Sequence, residues 1–211
     1  MAIIPGHVDV TSSSRNARAS ADGVPWSRSW RHAGDHGYIG VVPAPTSCDI
    51  CGFRWGDVTG DVGGRLTRAS ESFVDVVTNA GALVSRRPSP ERWSILEYAG
   101  HVRDVLISIR ERIVLAVVTD RPTGVAMHRD ERVDRGLYQC DTVADVSAEL
   151  AVVTRLFTKT VSSLREEDAR RALIYSSASP HEVTVAWAIA QAIHEVEHHL
   201  SDIRENLTRL D

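Results

Sequence analysis

The chain has 211 residues, of which 43% are hydrophobic and 25% charged, with a net charge of -4, three cysteines and 23 arginines against one lysine. That leaves room for one full domain plus an appendage. It excludes a helix crossing a bilayer, because no apolar run approaches the roughly eighteen residues needed.

The start, MAIIPGHVDV, lacks the basic-then-apolar layout of a signal peptide, so a cytoplasmic location is expected. An odd cysteine count argues against a disulfide framework. From His181 onward the chain carries six acids and two arginines, a poor surface for phosphate, so nucleic acid is not an expected partner. With no arginine-rich tract or stripe, the arginine excess reads as the mark of a GC-rich genome rather than of a function.

Residues 1 to about 58 are rich in Ser, Gly, Pro and Arg, with Trp26, Trp30 and Trp55 scattered through them. Such a stretch cannot bury much surface alone, and its tryptophans favour packing on the neighbouring domain. The rest, 59–211, reads as one domain. From about Arg65, Leu66, Phe73, Val76, Val77 and Leu83 recur at helical spacing until Pro88 and Pro90. Ser94 and Glu97 form a capping box for a second helix that ends before Asp120, Arg121 and Pro122. The stretch from Asp120 to Asp141 suits a long crossover. Thr142 and Asp145 open a third helix through Val146, Leu150, Val153, Phe157, Val161 and Leu164. Ser179, Pro180 and Glu182 occupy favoured N-terminal roles for a fourth, running to about Leu210. Four helices with one long connection describe an all-α four-helix bundle with an irregular N-terminal arm.

The second half of the fourth helix reads HEVEHH. Positions four apart differ by about 40° around a helix, so His194 and His198 share one face. His101 lies on the inward stripe of the second helix, with Tyr98, Val102 and Val105. A single inward histidine is more often a hydrogen-bonded core residue. Three neutral imidazoles that can face one another ask for a common acceptor, so His101, His194 and His198 are the expected ligands of a divalent metal, with a position left open. On this reading His199, about 100° from His198, points elsewhere. The stretch also matches HExxH, with Glu195 as a would-be general base, but Ser201 and Arg204 stand where the longer protease pattern needs Gly and His. Cys48 and Cys51, in SCDICGFRW, form half of a zinc knuckle. Completing it would need Cys140 with His32 or His36, and the plainer reading is two unmetallated thiols in a turn packed on the bundle.

Together RWSILEYAGHVRDVL, ERVDRGLY and HEVEHHLSDIREN resemble the DinB-like superfamily of metal-dependent four-helix bundles. Within it they are similar to the actinobacterial branch of mycothiol-dependent maleylpyruvate isomerase and mycothiol S-transferases. The resemblance covers residue 59 to the end. It implies an up-down-down-up bundle holding zinc or a similar ion through one histidine of the second helix and two of the fourth, matched here by His101, His194 and His198. The family often has Gly-Gln after its histidine pair, where this chain has Leu200, Ser201 and Asp202.

A metal that deprotonates a thiol outright suits an enzyme that activates mycothiol for S-conjugation or thiol exchange on a small-molecule electrophile. Arg103, Arg135 and Tyr138 are the expected contacts for polar groups of that substrate. The alternatives are a metal-dependent hydrolase, with Glu195 or Glu197 as base, and a non-catalytic, metal-binding stress-response bundle. The tryptophan-bearing arm could cover the partner of a homodimer as readily as its own subunit.

Overall fold

The structure, a computed structural model, describes residues 42–175 and 180–211. Trp26, Trp30, His32, His36 and Ser179 lie outside the described residues. Four long helices form the bundle: α1 (Val62–Asn79), α2 (Ile95–Val118), α4 (Val143–Ser162) and α5 (Val185–Leu210). A short helix, α3 (Arg129–Asp134), sits in the crossover. Helices α1 and α2 each pack on both α4 and α5, so the consecutive pair α1 and α2 stands on a diagonal. Phe73, Leu106, Ile109, Leu150, Phe157 and Ile193 are fully buried between the helices. Each such side chain contributes about 1.5–3 kcal/mol relative to exposure. No helix among the described residues is long and apolar enough to cross a membrane.

The capping residues act as the sequence suggests at two starts. Ser94 accepts from the Glu97 backbone N–H while the Glu97 carboxylate accepts from the N–H of Ser94, and Thr142 accepts from the N–H of Asp145. Helix α1 begins earlier than expected. The Asp61 carboxylate accepts from the N–H of Gly64 at 2.8 Å, and the poor helix formers Gly63 and Gly64 conceal this first turn from periodicity.

The expected start of the fourth helix is corrected. His181–Thr184 form a strand, β2, antiparallel to β1 (Ala172–Tyr175), with Leu173 opposite Val183. Leu173, Tyr175 and Val183 alternate inward, and a period of two overrides the cap-like Ser-Pro-His-Glu run. The cap is Thr184, whose hydroxyl accepts from the N–H of Trp187.

Residues 42–58, expected to belong to an irregular arm, pack on α5. Trp55 is buried, stacks on Trp187 with ring centroids 5.5 Å apart, and donates from Nε1 to Gln191 at 2.7 Å. Across the bundle Tyr138 packs where Gly100 leaves room: a Cβ there would stand 2.5 Å from Tyr138 Cδ1. Gly100→Val should therefore lower stability by about 2 kcal/mol or more, read as a drop in the urea midpoint, because Tyr138 is buried and tied by its hydroxyl to Asp104.

Candidate metal centre

Helix α5 presents two adjacent faces near its middle, each carrying an i, i+4 pair. Glu195 and His199 look toward α2, and His194 and His198 look toward the Cys48–Cys51 turn. The expected trio is thereby divided. The donor atoms of His101, Glu195 and His199 lie within 4.8 Å of one another, and those of His194 and His198 gather within the same reach of Cys48 and Cys51. No such grouping of His101 with His194 and His198 occurs among the described residues. At about 100° per residue, a one-position shift along α5 turns the ligating face toward another neighbour, and His101 meets the 195/199 face. His199, expected to point elsewhere, lies beside His101 and Glu195, and it stays near the pair: a donor atom of its ring lies within 4.8 Å of those of His198 and Asp202.

Glu195 Oε2 stands 3.5 Å from His101 Nε2 and 3.3 Å from His199 Nε2. Both separations exceed an ordinary charge-assisted hydrogen bond of about 2.7–2.9 Å. They match the edge of about 3.3 Å between nitrogen and oxygen ligands around a tetrahedral zinc with bonds of about 2.0–2.1 Å. His101 is 2% exposed, and neither of its ring nitrogens has a hydrogen-bond partner among the described residues. An imidazole buried without partners costs free energy unless something accepts it, so the donor set fits a divalent ion.

The surrounding groups hold these donors in place. Gln191 donates to Glu195 Oε1 at 2.6 Å and itself accepts from Trp55. His199 Nδ1 and Asp202 Oδ2 are 2.7 Å apart, the carboxylate-to-imidazole support usual for metal-binding histidines. Burial dominates at His101 and pushes its pKa down, toward the neutral form a ligand needs. At Glu195 burial acts upward, but the neighbouring His101 and His199 rings outweigh it and hold the carboxyl well below the usual range. Burial likewise pushes His199 down, and Asp202 and Glu195 outweigh it, bringing it up to about 9. A divalent ion supplies the positive charge these two carboxylates otherwise draw from the His199 proton.

Aromatic rings form the wall: Trp93 lies 5.2 Å from His101 and Tyr98 lies 5.1 Å from His199, centroid to centroid. Trp93 is fastened by its carbonyl, which accepts from the fully buried Asn206 at 2.8 Å.

Two of the three residues expected to hold substrate are engaged elsewhere, and the third faces solvent. Arg103 donates to Asp104, Asp141 and Glu149, Tyr138 donates to Asp104, and Arg135 is exposed just past α3. Glu197, one of two expected bases, is held by both nitrogens of an Arg65 fork at 2.7 and 2.8 Å. Glu195 and His199 were recoverable as a candidate pair, since they have the same spacing as His194 and His198. The more conspicuous HxxxH pair masked them.

The sequence pattern of the DinB superfamily matches residues 65–203. The chain belongs to the DinB superfamily. This DinB chain is 26% identical over 138 residues to the uncharacterized protein YuaE of Bacillus subtilis (strain 168), an alignment covering 58% of this chain and 82% of YuaE. It shares its fold with YfiT from Bacillus subtilis, described as a probable metal-dependent hydrolase with an unusual four-helix bundle topology. The TM-score is 0.66 at 13% identity, covering 82% of this chain and 95% of YfiT.

Proposed function

We propose that the protein is a divalent-metal-dependent enzyme acting on a small molecule, with the ion held by His101, Glu195 and His199. The observation that carries this is the partnerless, buried His101 ring facing a carboxylate at ligand-edge distance rather than hydrogen-bond distance. Three protein donors leave a coordination position for a reactant, as catalytic sites do. A bound ion would supply Lewis acidity, polarising a carbonyl and lowering the pKa of a water or thiol.

Hydrolysis is the reaction the donor set favours. Two imidazoles and one carboxylate are the ligands of zinc hydrolases, and the anionic Glu195 leaves the ion less positive than three histidines would, which weakens its hold on a thiolate. The description of YfiT as a probable metal-dependent hydrolase supports the same reading. Tyr98 would donate a hydrogen bond to the substrate, because burial, with the Asp202 charge, pushes its hydroxyl up to about 12 and keeps it protonated. Trp93 would stack on the substrate's apolar part. The second reading is S-transfer from mycothiol, favoured by the resemblance of the segments around His101 and His194 to the mycothiol-using branch.

The test is turnover of a panel of small activated esters and amides by the zinc-loaded chain, and of thiol-reactive electrophiles with and without mycothiol. Metal-dependent turnover without thiol is expected. Turnover only with mycothiol would select S-transfer, and no metal-dependent turnover on either panel would overturn the proposal.

A further inference from the structure

We infer that Cys48, Cys51, His194 and His198 form a second, closed, structural zinc site, separate from the His101 centre. The four residues come from two half-sites that each look incomplete in sequence, a CxxC turn and an HxxxH helical pair, and the fold brings them together across the bundle's edge. Their donor atoms all lie within 4.8 Å of one another. Cys48 Sγ stands 3.9 Å from His198 Nδ1, close to the sulfur-to-nitrogen edge of about 3.6 Å set by zinc bonds of about 2.3 and 2.0–2.1 Å in a tetrahedron.

Two further observations point to an ion. His194 is 9% exposed, its ring is packed between Phe53 and Trp55, and neither ring nitrogen has a hydrogen-bond partner among the described residues. A second partnerless buried imidazole, next to two thiols, is the pattern of ligands awaiting a shared acceptor. The cysteine turn is also closed in the tight form a CxxC ligand loop needs: the N–H groups of Cys48 and Gly52 donate to the carbonyls of Phe53 and Cys48, both at 2.8 Å. Ser47 and Arg54 pair across the hairpin, and Gly52 supplies the left-handed turn at φ 73°.

Two thiolates and two imidazoles are a zinc ligand set, and four protein donors leave no position for a reactant. The site would fasten the residues 47–55 hairpin to the middle of α5. It stands back to back with the first centre: His198 Nε2 is 3.8 Å from Asp202 Oδ2, the oxygen that also meets His199. The two sites are read independently, and failure of the enzymatic reading leaves this one standing.

Thiol reactivity tests it on the unaltered full chain. Cys51 and Cys140 are both exposed, so without zinc at the turn both should react readily with a disulfide reagent. With zinc loaded, Cys140 alone is expected to react fast, and Cys48 and Cys51 should react only after a chelator is added. In parallel, cobalt loading should give sulfur-to-cobalt charge-transfer absorption that is lost in Cys51→Ser and kept in His101→Leu. Zinc-independent reaction of Cys51 at the rate of Cys140, or cobalt spectra without a thiolate band, would overturn the inference.

Discussion

Glu195→Gln is expected to weaken metal binding at the His101 centre by at least about 100-fold, about 2.7 kcal/mol, and to abolish metal-dependent turnover. The substitution keeps the size of the side chain and a partner for Gln191, which donates to it at 2.6 Å. What it removes is the negative charge that faces two imidazole nitrogens at 3.3 and 3.5 Å. Glu197→Gln is the control. That carboxylate belongs to the Arg65 fork and is 32% exposed, so its loss should change metal affinity by less than about twofold. Isothermal titration of zinc into the two variants, each with Cys48 and Cys51 replaced by serine, isolates the effect. Equal affinities for both would contradict a ligand role for Glu195 and return the choice to a shared His101, His194 and His198 site.

His101→Leu should separate stability from function in the opposite direction. The His101 ring is buried with both nitrogens lacking partners, and such a group costs about 1–3 kcal/mol. Leucine fills similar space without that cost. The variant is expected to unfold at a higher urea concentration than the chelated wild-type chain. It should also lack the rise in melting temperature that zinc gives the wild type through the first centre, and should be inactive. A variant less stable than the chelated wild type, with metal affinity intact, would show that His101 is an ordinary core residue. Stabilising losses of function are expected where a fold retains a destabilising group for its chemistry.

The bundle was legible because its long helices carry strong periodic stripes, and because Ser94, Glu97, Thr142 and Asp145 are local caps that act within three residues. The hairpin was not. Its strands are four residues each, and the Ser-Pro-His-Glu run that precedes Val183 satisfies helix-start chemistry locally, while the partner strand that decides the matter is known only in the fold. The metal residues were legible as a set but not in their grouping. His194, Glu195, His198 and His199 form two overlapping pairs at the same spacing, so periodicity cannot say which pair faces α2. That choice rests on the rotation of α5, set by Ile193, Val196 and Ile203 packing inward and by the Arg65 fork on Glu197. The cysteine turn lacks visible partners in sequence because the histidines that meet it lie about 145 residues downstream on α5 and share their spacing with the neighbouring pair.

Anomalous scattering at the zinc edge from a crystal of the zinc-loaded chain would examine the grouping directly. The expected map has a peak within about 2.0–2.2 Å of His101 Nε2, Glu195 Oε2 and His199 Nε2. A single peak coordinated by His101, His194 and His198, or no peak beside His101 at all, would contradict it.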